Sequence, residues 1–127
     1  MQRAKFLLAV LFAGTLFLSL SCSKSDDQTY TVEYKLQGNY DYVQSLRYRD
    51  ATGNMVIIDD PALIGNGIFT VTVTKPFDAQ MNVVVNNSSV TLELYILSIA
   101  IDGVEKSTVK MHVPLFDANS QTIGFSL

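Results

Sequence analysis

The chain has 127 residues, with nine Lys+Arg against twelve Asp+Glu, one histidine, one cysteine and a formal net charge of −3. That balance, with no basic cluster, argues against nucleic acid and anionic lipid headgroups as partners. One cysteine allows no internal disulfide, and one histidine is too few for the usual zinc or nucleophilic sets.

Arg3 and Lys5 form a short positive start, and Phe6 to Leu20 is a mostly apolar run. As a helix, such a run would reach roughly 22 Å, short of a hydrocarbon core of about 30 Å. A basic start, a short apolar run and small residues after it predict a removable signal peptide over residues 1–21. Leu18-Ser19-Leu20-Ser21-Cys22 follows, with the only cysteine of the chain at its end. This stretch resembles the lipobox of bacterial lipoproteins, with Ser19 where the usual leucine stands. The resemblance implies that Cys22 is diacylated and becomes an acylated N-terminus. Two or more acyl chains are what a stable anchor needs, since one binds only marginally. Lys24-Ser25-Asp26-Asp27 resembles the acidic signal that directs some Gram-negative lipoproteins to the outer face of the outer membrane. A lipid anchor at Cys22, an outer-membrane location and possible surface exposure are therefore implied, with Lys24, Asp26 and Asp27 as the export signal. Ser23 to Thr29 would be a polar tether reaching at most about 23 Å. Loss of Arg3 and Lys5 with the signal leaves seven basic residues against twelve acidic, a net charge of −5.

Residues 30–127 are the length of one domain and must be held by their own core. Tyr30, Val32, Tyr34 and Leu36 alternate with Thr31, Glu33, Lys35 and Gln37, the period of a half-buried strand. Gly38-Asn39 breaks the run, and a second strand sets Leu46 and Tyr48 inward with Arg47 and Arg49 outward. Asp50 to Asn54 is turn chemistry before a short strand, Met55–Ile58. Asp59-Asp60-Pro61 and Gly65-Asn66-Gly67 bracket the least regular part. Phe69, Val71 and Val73 then alternate with Thr70, Thr72 and Thr74, threonine being a β-branched residue that tolerates water. Lys75-Pro76-Phe77-Asp78 turns the chain into a strand at Met81–Asn86, and Asn87-Ser88-Ser89 turns it again. Val90 to Ile101 reads as the longest apolar strand, its apolar parity slipping from even to odd positions near Ile96. A β-bulge at Ile96–Ser98, or a strand covered on both faces, would produce that slip. Asp102-Gly103 is a strong hairpin signal leading into Lys106–Val113, and Gln121–Leu127 adds a last strand. The strands near Tyr30–Leu36 and Gln121–Leu127 are read as sheet edges open to pairing with another chain.

Seven or eight short strands, with no helical period after residue 22, predict an all-β fold: an antiparallel, immunoglobulin-like β-sandwich. A small closed barrel is the alternative. From Leu46 to Lys110, Tyr48, Asp50, Gly53, the Val/Thr strand, Pro76-Phe77 and Asp102-Gly103 come in an order that resembles the MmpS-type small accessory proteins. That family is a membrane-tethered β-sandwich that assists a large transporter, so the resemblance implies an accessory role beside a protein partner. Phe77 stands where tryptophan is common in that family, and the tether here would be lipid rather than helix.

Catalytic chemistry is sparse. His112 shares a strand face with Lys110, opposite Val109, Met111 and Val113, and so reads as a solvent-facing residue. Asp59-Asp60 is the only internal carboxylate pair, adjacent residues of such a pair point apart, and Asp-Pro is an ordinary turn starter. No EF-hand spacing and no glycine-rich phosphate loop occur. The chain is therefore expected to be no enzyme, with no cofactor and no metal. Tyr40 and Tyr42 lie in the first connection and are the candidate ligand-binding residues, since tyrosine offers a ring face and a polar tip. The expected role is a non-catalytic binding or accessory module of the cell envelope working through a protein partner; the alternative is a surface lipoprotein that binds glycan.

Overall fold

The computed structural model describes residues 28–127. The signal segment, Cys22 and the export-signal residues Lys24, Asp26 and Asp27 lie outside the described residues.

The alternation read from the sequence becomes eight antiparallel strands: β1 (Thr29–Gln37), β2 (Val43–Arg49), β3 (Met55–Ile58), β4 (Ile68–Thr74), β5 (Asp78–Asn87), β6 (Glu93–Ile101), β7 (Val104–Val113) and β8 (Asp117–Ser126). They form two four-stranded sheets, ordered β4-β1-β6-β7 and β3-β2-β5-β8. Two separate sheets make a sandwich and exclude the closed barrel. Only β2–β3 and β6–β7 are joined within a sheet; every other connection crosses between sheets, giving the interlocked pairs β1–β4 and β2–β5 of an immunoglobulin-like fold.

The inward faces meet in one apolar layer. Val32, Tyr34 and Leu36 of β1 and Tyr95, Leu97 and Ile99 of β6 face Leu46 of β2 and Met81, Val83 and Val85 of β5, all fully buried. Each such aliphatic side chain contributes roughly 1.5–3 kcal/mol on burial, which is how a domain without a disulfide holds together. Tyr34 and Tyr95 carry hydroxyls into this layer and satisfy them on backbone oxygens. Tyr34 Oη donates to the Arg49 carbonyl (2.9 Å), and Tyr95 Oη donates to the Asn39 carbonyl (2.6 Å). Tyr48 tilts against Tyr34 with ring centroids 5.4 Å apart and stacks on Phe69 at 4.9 Å, linking the two sheets near their open edge.

Two expectations are corrected. The stretch Val90 to Ile101 is not one strand with slipped parity. β6 starts at Glu93 and keeps its odd residues inward throughout, while Leu92, Leu94 and Ile96 turn outward; the bulge lies at Ile99/Ala100 rather than Ile96–Ser98. Nor is the Tyr30–Leu36 strand an edge, because β1 is paired on both sides, by β4 and by β6. The last strand expected at Gln121–Leu127 is an edge strand, β8, but it runs from Asp117 to Ser126.

The alternating strand directions sort the connections into two ends. The proximal end, where β1 begins, holds the Asp50–Asn54 turn, the Lys75–Pro76 link and the Asp102-Gly103 hairpin. Asp102 and Gly103 both have positive φ, 49° and 81°, as a two-residue hairpin requires. The distal end holds all four remaining connections: 38–42, 59–67, 88–92 and 114–116.

Candidate recognition surface at the distal loops

The distal connections all cross between sheets, so each must be fixed by side chains rather than by strand pairing. Two polar ties fix them. The first is Asn87, the last residue of β5 and fully buried. Its Nδ2 donates to the carbonyls of Thr91 (2.8 Å), Val113 (3.1 Å) and Pro114 (3.1 Å), and its Oδ1 accepts from the N–H and the Oγ of Ser89. Every hydrogen-bonding capacity of the amide is therefore used, so its burial carries no unsatisfied group. One side chain thus joins the 88–92 loop to the end of β7 and the start of the 114–116 loop.

The second tie is Tyr40, in a short 3-10 turn at Tyr40–Tyr42 that Asn39 caps through Oδ1 to the Asp41 N–H. Tyr40 Oη donates to the Leu36 carbonyl (2.6 Å) and lies 3.3 Å from the Asn66 carbonyl, joining the 38–42 and 59–67 loops. Burial pushes the Tyr40 hydroxyl pKa up. Gly67 lies against it with φ 75°, and a Cβ there would collide with Tyr40 Oη and the Leu36 carbonyl. Tyr95 supports the same corner from below, its ring closing on Gly38 (φ 145°). Burial, chiefly, with the nearby Glu93 charge, pushes the Tyr95 hydroxyl up to about 12.

These ties hold a set of apolar side chains out in water. Val90 and Phe116 are 71% and 70% exposed, and Leu92, Leu115 and Leu63 are also exposed. Phe116 has φ 52°, a left-handed conformation that a bulky side chain rarely adopts and that costs of the order of 1–3 kcal/mol. Four of the five (Val90, Leu92, Leu115 and Phe116) sit on the two loops that Asn87 joins. Scattered exposed apolar residues are ordinary on a surface. Four of them gathered on two rigidly tied loops, one with a strained backbone, are the pattern of a pre-organised contact surface.

The residues singled out from the sequence fall as follows. Tyr40 and Tyr42 both lie at the distal end, half-buried against the core, with the Tyr40 donor used internally. His112 is exposed on the outer face of β7, in register with Leu94, and does not meet the carboxylates. Asp59 and Asp60 are exposed on the 59–67 loop, and Asp60 Oδ1 caps the Pro61–Leu63 turn by accepting from the Ala62 N–H (3.0 Å). Among the described residues no group of three or more His, Cys, Asp or Glu could hold a metal ion, and no helix is long and apolar enough to cross a membrane.

Asn87 escaped the sequence reading because Asn-Ser-Ser is also plain turn chemistry. Its role depends on carbonyls of residues 91, 113 and 114, and no local pattern brings those together. The exposed apolar loop residues had a legible signal in part: Val90 and Leu92 are apolar residues that precede the strand proper.

The proximal end offers a shallower feature. Tyr30, Lys75, Ile101, Asp102, Val104, Lys106, Phe125, Ser126 and Leu127 line an open cleft of about 360 Å³, with Lys75 Nζ 5.0 Å from the Tyr30 ring centroid. Asp102 Oδ1 is engaged by the Thr31 N–H at 2.8 Å.

The chain matches no protein-family model, and comparison with curated proteins finds no significant match.

Proposed function

We propose that the protein is an envelope-anchored lipoprotein, held to a Gram-negative outer membrane through acyl chains on Cys22, whose sandwich is a non-catalytic binding or accessory module for a protein partner. The observation that supports this most is the placement of Val90, Leu92, Leu115 and Phe116 at the end opposite the start of β1. A chain tethered ahead of β1 keeps its proximal end towards the membrane and offers these apolar loops outward. An aromatic side chain such as Phe116 in a rigid setting, surrounded by apolar neighbours that exclude water, is an arrangement found at protein–protein contacts. A net charge of −5 after signal removal suits a protein surface better than an anionic lipid one. For a sugar ligand, Tyr40 has already spent its hydroxyl donor inside the fold, which favours the protein-partner reading over the glycan one.

Crosslinking and capture of the full, acylated chain from its own envelope tests this, with a Cys22→Ala form as control. A stoichiometric partner captured by the anchored form is the expected result. Absence of any specific partner from both forms would reject the accessory role.

A further inference from the structure

The four sheet edges are unequal. β3 is four residues long. β7 carries Glu105, Lys106, Lys110 and His112 and runs close alongside β8 where the sandwich closes. Short length, charge and coverage are the usual ways of blunting an edge. β4, Ile68–Thr74, has none of them: seven residues with no charge, proline, glycine or bulge, and β1 the only described element beside it at pairing distance. Its free side presents unpaired N–H and C=O groups, and Phe69 and Val71 remain half-exposed at the open edge. High β-propensity without charge makes such a segment prone to strand pairing.

The strand is also close to self-complementary. Reversed about Val71, Phe69 meets Val73, Val71 meets Val71, and Thr70 meets Thr72. In an antiparallel pair every inward apolar residue would therefore face an inward apolar residue, while on the outward face Thr70 would meet Thr72 and Ile68 would meet Thr74. The nearest charges on that face, Glu33 and Lys35, belong to β1, one strand in, opposite Thr70 and Ile68. A neutral edge lets two acidic copies approach. We infer that β4 is a homodimerisation edge, pairing antiparallel with β4 of a second copy about a two-fold axis at Val71, to give a continuous eight-stranded sheet. The two-fold closes the assembly, because the far edges of that sheet are charged β7 strands.

Sedimentation equilibrium of the full chain in density-matched detergent tests this. Wild-type protein is expected to show a reversible monomer–dimer equilibrium. Thr70→Lys with Thr72→Lys, both exposed outward positions, should weaken it by about tenfold or more by setting like charges across the pair, whereas Thr108→Lys on the opposite edge strand should leave it unchanged. A wild-type chain monomeric at every concentration, or a lysine variant that dimerises as well as wild type, would overturn the inference. Should the lysine variant misfold, amide exchange of wild-type β4 decides. Protection that falls on dilution supports the pairing, and protection independent of concentration refutes it.

Discussion

The two ends of the sandwich solve the same problem, connecting strands, by different means. At the proximal end the β2–β3 turn is local, while the Asp102-Gly103 hairpin is tied to Thr31 of β1. In the β2–β3 turn Asp50 Oδ1 accepts from the Thr52 N–H, the Thr52 hydroxyl and the Asn54 N–H, and the hydroxyl chiefly draws the carboxyl below its ordinary pKa. Everything Asp50 touches lies within four residues. At the distal end Asn87 reaches residues 113 and 114 and Tyr95 reaches Asn39. A local turn can be altered by itself, whereas the 88–92 and 114–116 loops that Asn87 joins are altered together. That coupling is what a pre-organised surface needs, because loops that were free separately would lose conformational entropy on each binding event.

The largest expected effect comes from breaking the distal tie. Asn87→Asp sets an oxygen against the three carbonyls that Nδ2 now serves, inside a fully buried site, and should destabilise the domain by about 3–5 kcal/mol. Asn87→Ala, which leaves those carbonyls without the donor, should cost about 1–3 kcal/mol. Both are read from chemical-denaturation midpoints. Gly38→Ala comes next: its Cβ would collide with the Tyr95 ring, in a positive-φ conformation, for a cost of the order of 2 kcal/mol. On the proximal side Asp50→Ala should cost only about 1 kcal/mol, as loss of a local turn-forming side chain does, and should leave the distal amides protected in hydrogen exchange. Equal losses for Asn87→Ala and Asp50→Ala would erase the contrast between the ends.

A pH titration sharpens the comparison further. Burial holds the Tyr34 and Tyr95 hydroxyls up at about 12. The folded state thus binds its phenolic protons more tightly than the unfolded state, whose tyrosines titrate near 10. Stability contributed by these groups is complete below about pH 10 and is lost as pH rises towards 12. Tyr95→Phe should flatten that alkaline decline at the distal corner while removing the tie to Asn39. The smallest effect on stability, within about 0.5 kcal/mol, is expected from Phe116→Ser or Leu92→Ser. These are surface changes whose consequence should appear in partner capture instead.

The fold was legible because its strands obey a period of two. Met55–Ile58 emerges with the bounds read from the sequence, and Asp102-Gly103 forms the hairpin its residues dictate. What failed was apolar character taken as a proxy for burial. Leu92, Leu94 and Ile96 are apolar yet face outward, and so mimic a parity slip that the backbone does not make. Strand order was not legible either: β1 looks like an edge in sequence, being first, but long crossings place it between β4 and β6. The distal surface was unreadable for the same reason, since its loops are neighbours only after the sheets are stacked.

The most direct test replaces single residues of the full chain with a photoreactive amino acid in the native envelope. Phe116 serves as the distal probe and Val104, exposed at the proximal end, as its counterpart. A discrete protein adduct from Phe116 and none from Val104 is the predicted result. An adduct from Val104 alone, or none from either position, would contradict recognition through the distal loops.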